Sequence, residues 1–161
     1  MPVLVGGAVV EFDTGGAFMS GDFDFVTEID EPFITALQAV GFVRDARPGR
    51  VRRPGGWVHP EHLVGVDMVS GSLFDGRTDR SKIRMVDVGS GEVCMPPTED
   101  MIADRMGQWE ASGRRDASML EQAHAMLVLA DGLDANYLEL RIRDETGGSA
   151  GVADVRSIVG G

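Results

Sequence analysis

The apolar positions change their spacing near the middle of the chain, from short runs and alternation to helical periodicity. Val3-Leu4-Val5 is a compact apolar run closed by Gly6-Gly7, and Ala8 to Phe12 reads as a short helix ended by Gly15-Gly16. Polar and apolar residues alternate through Asp22-Phe23-Asp24-Phe25-Val26, the period-2 signature of a half-buried strand. Pro32 opens a helix with Phe33, Ile34, Leu37 and Val40 on its apolar side, and Gly41 follows as a C-cap. Phe42-Val43 begins a further strand. Residues 44–60 hold five arginines, three prolines and three glycines and read as an exposed loop or hairpin, not core. Leu63 to Ser70 reads as a buried strand with one charge, Asp67. Lys82 to Val88 and Glu92 to Met95 form a predicted hairpin across Gly89-Ser90-Gly91.

After Pro96-Pro97 the period becomes helical. Thr98 is the expected N-cap, with Glu99 and Asp100 in the first turn, where acids suit the helix dipole. A second helix runs from about Asp116 to Ala130, with Met119, Leu120, Ala123, Met126, Leu127 and Ala130 on one stripe. Leu133, Tyr137, Leu138 and Ile142 mark a third. Thr146 to Gly161 is glycine-rich and weakly patterned, and is expected to fray. The predicted class is α+β: a mixed β-sheet with flanking helices over residues 1–95, a helical hairpin or bundle over 96–145, and a tail over 146–161.

Charge alters this picture. The net of −11 argues against a general nucleic-acid or anionic-membrane binder. Its distribution is uneven: residues 1–43 carry −7, residues 44–84 carry +4 and residues 85–161 carry −8. Only the middle segment suits phosphate. A single cysteine, Cys94, makes no internal disulfide, so a reducing, cytoplasmic setting is expected. The first residues lack a signal-peptide pattern, and no apolar stretch approaches the ~20 residues needed to span a bilayer. Three histidines and one cysteine are too few for a structural zinc site.

The candidate chemistry lies near the N-terminus. In a strand, Asp22 and Asp24 share one face while Phe23 and Phe25 take the other. Two neighbouring carboxylates repel unless a cation lies between them. Mg²⁺ suits such hard oxygens, commonly taking one or two carboxylates and completing its shell with substrate phosphates. A third acid on a neighbouring strand would allow two ions. Asp67 is the candidate, with Val64, Val66 and Met68 facing the core, although Asp75 and Asp79 compete. Gly6-Gly7, between a strand and a helix, would let backbone N–H groups approach a phosphate, and the Ser20 hydroxyl would add a donor. Arg44, Arg47, Arg50, Arg52 and Arg53 form either a solvated loop or a clamp for a triphosphate or an RNA backbone; Arg77, Arg80, Lys82 and Arg84 would extend the clamp. Trp57 and His59 either pin this loop or stack on a base.

The ordered set resembles the polymerase-beta-like nucleotidyltransferase superfamily: a strand, Gly6-Gly7, a short helix, Ser20-Gly21-Asp22-Phe23-Asp24, and a later strand acid. It is more narrowly similar to small prokaryotic members of abortive-infection and toxin–antitoxin systems, through Val5-Gly6-Gly7-Ala8-Val9, Thr14-Gly15-Gly16, Ser20 to Phe25, Val40-Gly41-Phe42 and Thr98 to Arg105. Gln122-Ala123 and Asp134-x-x-Tyr137-Leu138 extend the similarity into the helices. The resemblance implies Mg²⁺ on Asp22, Asp24 and Asp67, as a two-ion site. It implies triphosphate contacts from Gly6, Gly7, Ser20 and Gly21, with Arg80 and Lys82 in the nucleotide-binding set. The implied reaction moves a nucleoside monophosphate from a nucleoside triphosphate to a hydroxyl of protein, RNA or small molecule, releasing pyrophosphate. The implied setting includes a cognate toxin or antitoxin protein and no membrane. Two alternatives stand beside it: a degenerate domain that binds nucleotide or a partner protein without chemistry, and an interaction module whose Asp22-x-Asp24 pair simply faces solvent. Phe23 and Phe25 replace smaller aliphatics, and the chain lacks a helix before the first strand, as departures from the pattern.

Overall fold

The computed structural model describes residues 1–27, 31–45, 56–69 and 71–157. They divide into two compact units. The first holds Met1–Val9 and Met19–Met95; the second holds Val10–Phe18 and the chain from Pro96 onward.

The first unit is built on a mixed sheet of β1 (Val3–Val5), β2 (Asp22–Val26), β3 (Val43–Arg44), β4 (Trp57–Val58), β5 (Gly65–Met68), β6 (Arg84–Asp87) and β7 (Glu92–Met95). The spatial order is β3-β4-β5-β2-β1-β7-β6. β1 runs antiparallel to β2 and parallel to β7, and β2 runs parallel to β5. The pairs β3–β4, β4–β5 and β6–β7 are antiparallel. Two apolar clusters form among the described residues of this unit. In one, Leu37, Trp57, Val66 and Met68 are buried together with Phe25, Phe33, Ile34 and Phe42 against them, so α2 (Glu31–Ala39) packs here. The Phe25 and Phe33 rings meet edge to face at 5.3 Å. In the other, Val3, Val5, Leu73 and Cys94 are buried, with Val26, Phe74 and Ile83 packed on them.

The alternation at Asp22–Val26, the helix opened around Pro32 and the hairpin across Gly89-Ser90-Gly91 all occur. Gly41 follows α2 at φ +93°, the left-handed cap that glycine adopts without strain. The strand expected from Leu63 begins only at Gly65. Leu63 lies at φ 56° in the β4–β5 hairpin, where its N–H donates to the His59 carbonyl and the His59 N–H donates to that of Val64. Lys82 precedes its predicted strand, in a single 3-10 turn over Arg80–Lys82. Trp57, assigned to an exposed loop, is core at 3 % exposure.

The second unit contains the end of α1 (Gly7–Asp13), with α3 (Thr98–Ala111), α4 (Ala117–Leu129), α5 (Ala135–Glu145) and α6 (Val152–Arg156). α3 packs on α4 and α5, and α6 on both of those. The centre is apolar: Met101, Ile102, Met106, Ala123, Met126, Leu138, Ile142 and Val155 are buried. Pro97, not Thr98, stands at the N-cap of α3, and the Thr98 hydroxyl bonds Asp13 at 3.3 Å instead. Asp116 and Asp134 cap α4 and α5 by accepting from backbone N–H groups two and three residues on. The tail corrects the expectation of fraying over its described part. α6 buries Val155, and the His124 ring Nδ1–H donates to the Val155 carbonyl at 2.8 Å. Glu139 accepts from the Val152 N–H at 2.8 Å. These partners are remote in sequence, so the weak local pattern of the tail gave no sign of them.

Candidate functional site

The site is built from the first unit's central strands. Side chains in β2 alternate, so Asp22, Asp24 and Val26 share one face. Residues in register on adjacent strands also share a face. Asp24 pairs with Val5 on one side and Asp67 on the other; Asp22 pairs with Gly65. The register therefore lines up Asp22, Asp24 and Asp67 on one face, across strands about 4.8 Å apart. Val66 and Met68 go to the opposite face and are buried there. Asp67 is half-buried, Asp24 half-buried and Asp22 exposed.

Of the three competing acids, only Asp67 lies on a strand beside Asp24. Asp79 accepts from the Ser81 N–H at 3.0 Å and the Ser81 hydroxyl at 2.6 Å, capping its own turn. The Ser81 hydroxyl and N–H hold its carboxyl below the ordinary carboxylate range. Asp75 is exposed in a left-handed turn at φ 55°. Neither is on a strand beside Asp24.

Glycines shape the spaces around these groups. Gly6 has φ +72°, and a Cβ there would lie 2.5 Å from Asp24 Oδ2. A Cβ on Gly7 would lie 2.8 Å from Ser20 Oγ. A Cβ on Gly65 would overlap Asp22 Oδ1. The Asp24 carboxylate thus leans onto the end of β1, and that of Asp22 leans onto β5. Like charges two residues apart are lower in energy when they diverge. The Ser20 hydroxyl donates to the Asp22 carbonyl at 2.9 Å, which closes the turn into β2. Gly21, by contrast, has open space where a side chain would be. Gly65 is the residue that sequence reasoning missed. Its signal was available: a glycine inside a β-run, two positions before the candidate acid.

The basic candidates separate. Ile83, Leu73 and Phe74 pack on Val3, Val5 and Cys94, so the β5–β6 connection crosses the face that Val5 shares with Asp24. Lys82, half-buried, and Arg80, exposed, belong to this connection. Arg84 pairs with Met95 while Met85 pairs with Cys94, so Arg84 points to the other face and does not extend the clamp. The Arg44 guanidinium lies 4.3 Å from the Trp57 ring centroid. Trp57 is thereby sealed from a base, and His59 stands edge-on to Phe42 and beside His62, so both pin their hairpin. Arg47, Arg50, Arg52 and Arg53 lie outside the described residues.

Among the described residues, no group of three or more His, Cys, Asp or Glu is disposed to hold a metal ion by itself. Mg²⁺ does not need one. It keeps several waters and is commonly held by one or two carboxylates plus substrate phosphates. The in-register pair Asp24–Asp67, with Asp22 beside it, would offer Mg²⁺ one or two carboxylates on one face and no all-protein cage.

No protein-family model matches the chain, and no curated protein matches it. Among solved structures it is similar to an antigenic nucleotidyltransferase-like protein from Paracoccidioides brasiliensis, at 16% identity and a TM-score of 0.59. The match covers 92% of this chain and 80% of that one. The fold is nucleotidyltransferase-like. Among the described residues, no helix is long and apolar enough to cross a membrane.

The second unit holds the other half of the sequence resemblance. Asp100 and Arg141 are 0 % and 1 % exposed in their side chains and pair at 2.5 Å. The Tyr137 hydroxyl donates to the same carboxylate at 3.1 Å, and Glu145 accepts from Arg141 at 2.8 Å. Burial alone would disfavour the Arg141 cation, but its bonds to Asp100 and Glu145 prevail and raise it above its usual value. Glu99 accepts from the Asp134 N–H at 2.8 Å. Asp104 pairs with Arg105, which also reaches Gln122 at 3.4 Å. The motif residues from Thr98 to Arg105 therefore serve to join α3 to its neighbours.

Proposed function

We propose that the chain is a Mg²⁺-dependent nucleotidyltransferase that moves a nucleoside monophosphate from a nucleoside triphosphate to a hydroxyl acceptor. The observation that carries this reading is the register of β2 and β5, which sets Asp67 beside Asp24 with Asp22 on the same face. Asp22, Asp24 and Asp67 would hold the metal, which when bound would neutralise charge on the triphosphate and the leaving pyrophosphate. Gly6 and Gly7, bare of side chains beside Asp24 and Ser20, would leave backbone room for the triphosphate, as would Gly21. Arg80 and Lys82 would meet the phosphates from the β5–β6 connection. The acceptor oxygen attacks the α-phosphorus and forms a new O–P bond. The bond from that phosphorus to the bridging oxygen breaks, and pyrophosphate leaves. Asp67 takes the acceptor's proton.

The acceptor would be protein, RNA or a small molecule. Likeness of the Gly6-Gly7 and Ser20-to-Phe25 motifs supports a place in a toxin–antitoxin or phage-defence pair with a cognate protein. The lone Cys94 supports a reducing, cytoplasmic setting. A second reading, binding of nucleotide or a partner without transfer, is favoured by the opposite lean of the Asp22 and Asp24 carboxylates.

One assay separates the readings. ATP, GTP, CTP and UTP are screened with and without Mg²⁺ by thermal shift, then supplied labelled. A triphosphate ~100-fold above its Kd stabilises by about 2.7 kcal/mol, a rise of roughly 5–10 °C at this chain length. Transfer of label that disappears in Asp22→Ala/Asp24→Ala is expected. A shift without transfer supports nucleotide binding alone, and no shift with any triphosphate removes the transferase and leaves only partner binding.

A further inference from the structure

We propose that Gly65 is a positioning residue of this site, present because the Asp22 carboxylate is seated where its side chain would be. The inference rests on the metal-site reading of Asp22, Asp24 and Asp67 and goes beyond it. Glycine weakens a strand, since it loses the most backbone freedom on folding and contributes no packing. At Gly65 the backbone does not demand glycine, because its φ is not in the left-handed range. The demand comes from space. A Cβ would overlap Asp22 Oδ1 and lie 2.9 Å from Asp22 Cγ. Gly71 and Gly91, elsewhere in the unit, would meet nothing within 4 Å.

The seat has a direction. Asp22 and Gly65 are in register, and Asp67 lies two residues further along β5 on the same face. Over Gly65, the Asp22 carboxylate is held on the strand that bears Asp67 and kept off Asp24, which leans the other way onto Gly6. A methyl at 65 would drive Asp22 off β5, toward solvent or toward the like charge of Asp24. The first movement withdraws an oxygen from a shared ion, and the second undoes the divergence of two like charges.

The test is a double-mutant cycle on the full chain with Mn²⁺ as the probe. Mn²⁺ is titrated in the presence of a triphosphate with a non-cleavable α,β bridge and followed by the EPR signal of the bound ion. Gly65→Ala and Asp22→Ala are each expected to weaken Mn²⁺ by about ten- to a hundredfold, the range for residues that orient metal ligands. The double variant should bind no more weakly than Asp22→Ala, because Gly65 acts only through Asp22. Gly91→Ala should match the wild type. Wild-type affinity in Gly65→Ala, or losses that multiply in the double variant, would overturn the proposal while leaving the metal site standing. Failure of the wild type to bind Mn²⁺ would remove the metal site and this proposal together. If Gly65→Ala does not fold, the double variant must, since the overlapped atoms are gone. A double variant that also fails to fold assigns Gly65 to packing and overturns the proposal.

Discussion

Two glycines illustrate how identity at one position follows from local space and backbone. Gly6 combines φ +72° with a side-chain position already taken by Asp24. A Cβ in the left-handed region costs about 1–2 kcal/mol, before any clash is counted. Gly6→Ala is therefore expected to lower stability by about that amount or more and to displace Asp24. Urea midpoints measure the first effect, and loss of the triphosphate-dependent thermal shift measures the second. Gly21→Ala should stay within ~0.5 kcal/mol of wild type in the same urea experiment, because nothing lies within 4 Å of its added methyl. The two changes are chemically identical, so a difference between them reports the environment alone. The Gly-Gly pair was legible in the sequence as a place of close approach. That Asp24 is the group approached was not, because the two are on different strands.

At the scale of elements, α3 begins among buried charges. Asp100 is fully buried, and its carboxylate meets Arg141 and Tyr137 of α5. Removing one partner of such a pair leaves an uncompensated charge out of water, which costs about 3–5 kcal/mol. Arg141→Met should cost that much in urea unfolding, well beyond a typical surface change. A loss under 1 kcal/mol would show that the pair contributes little. The sequence presents Glu99 and Asp100 as acids suited to a helix start, and in position they are. Their partners on α5 make them more than that. Glu99 caps a second helix through Asp134, a contact 35 residues away in sequence.

For the molecule as a whole, the net charge of −11 includes carboxylates that the fold holds ionised. The Ser81 hydroxyl depresses the Asp79 carboxyl, the Arg114 side chain depresses Glu110, and the Val152 N–H depresses Glu139. A carboxyl whose folded pKa is lowered stabilises the fold above its unfolded pKa and loses that contribution as pH falls through the folded value. The unfolded chain then binds more protons, so stability decreases toward acid. Urea midpoints should be level from pH 7 to about 5 and fall below roughly pH 4, the carboxylate range. The Val152 amide in α6 should lose protection relative to its intrinsic exchange rate over the same interval, since Glu139 ceases to be an ionised acceptor for it. Stability that rises from pH 5 to 3 would contradict these assignments.

The sequence by itself determined the local pieces: the alternation through Asp22–Val26, the glycine pair after the first strand, the α2 cap at Gly41 and the stripe of α4. Each is encoded within a few residues, where the side-chain period and backbone preference act directly. It also determined that Asp22 and Asp24 share a face, because a strand allows nothing else. Only the tertiary structure shows which acid lies beside them. Asp67, Asp75 and Asp79 are equal in composition, and only the β2–β5 register sets Asp67 beside Asp24. It likewise seated Asp22 on Gly65, buried Trp57, turned Arg84 to the opposite face and tied down α6 through His124 and Glu139. These outcomes depend on partners remote in the chain, whose pairing follows from how whole strands and helices bury their apolar faces, and no local period records that.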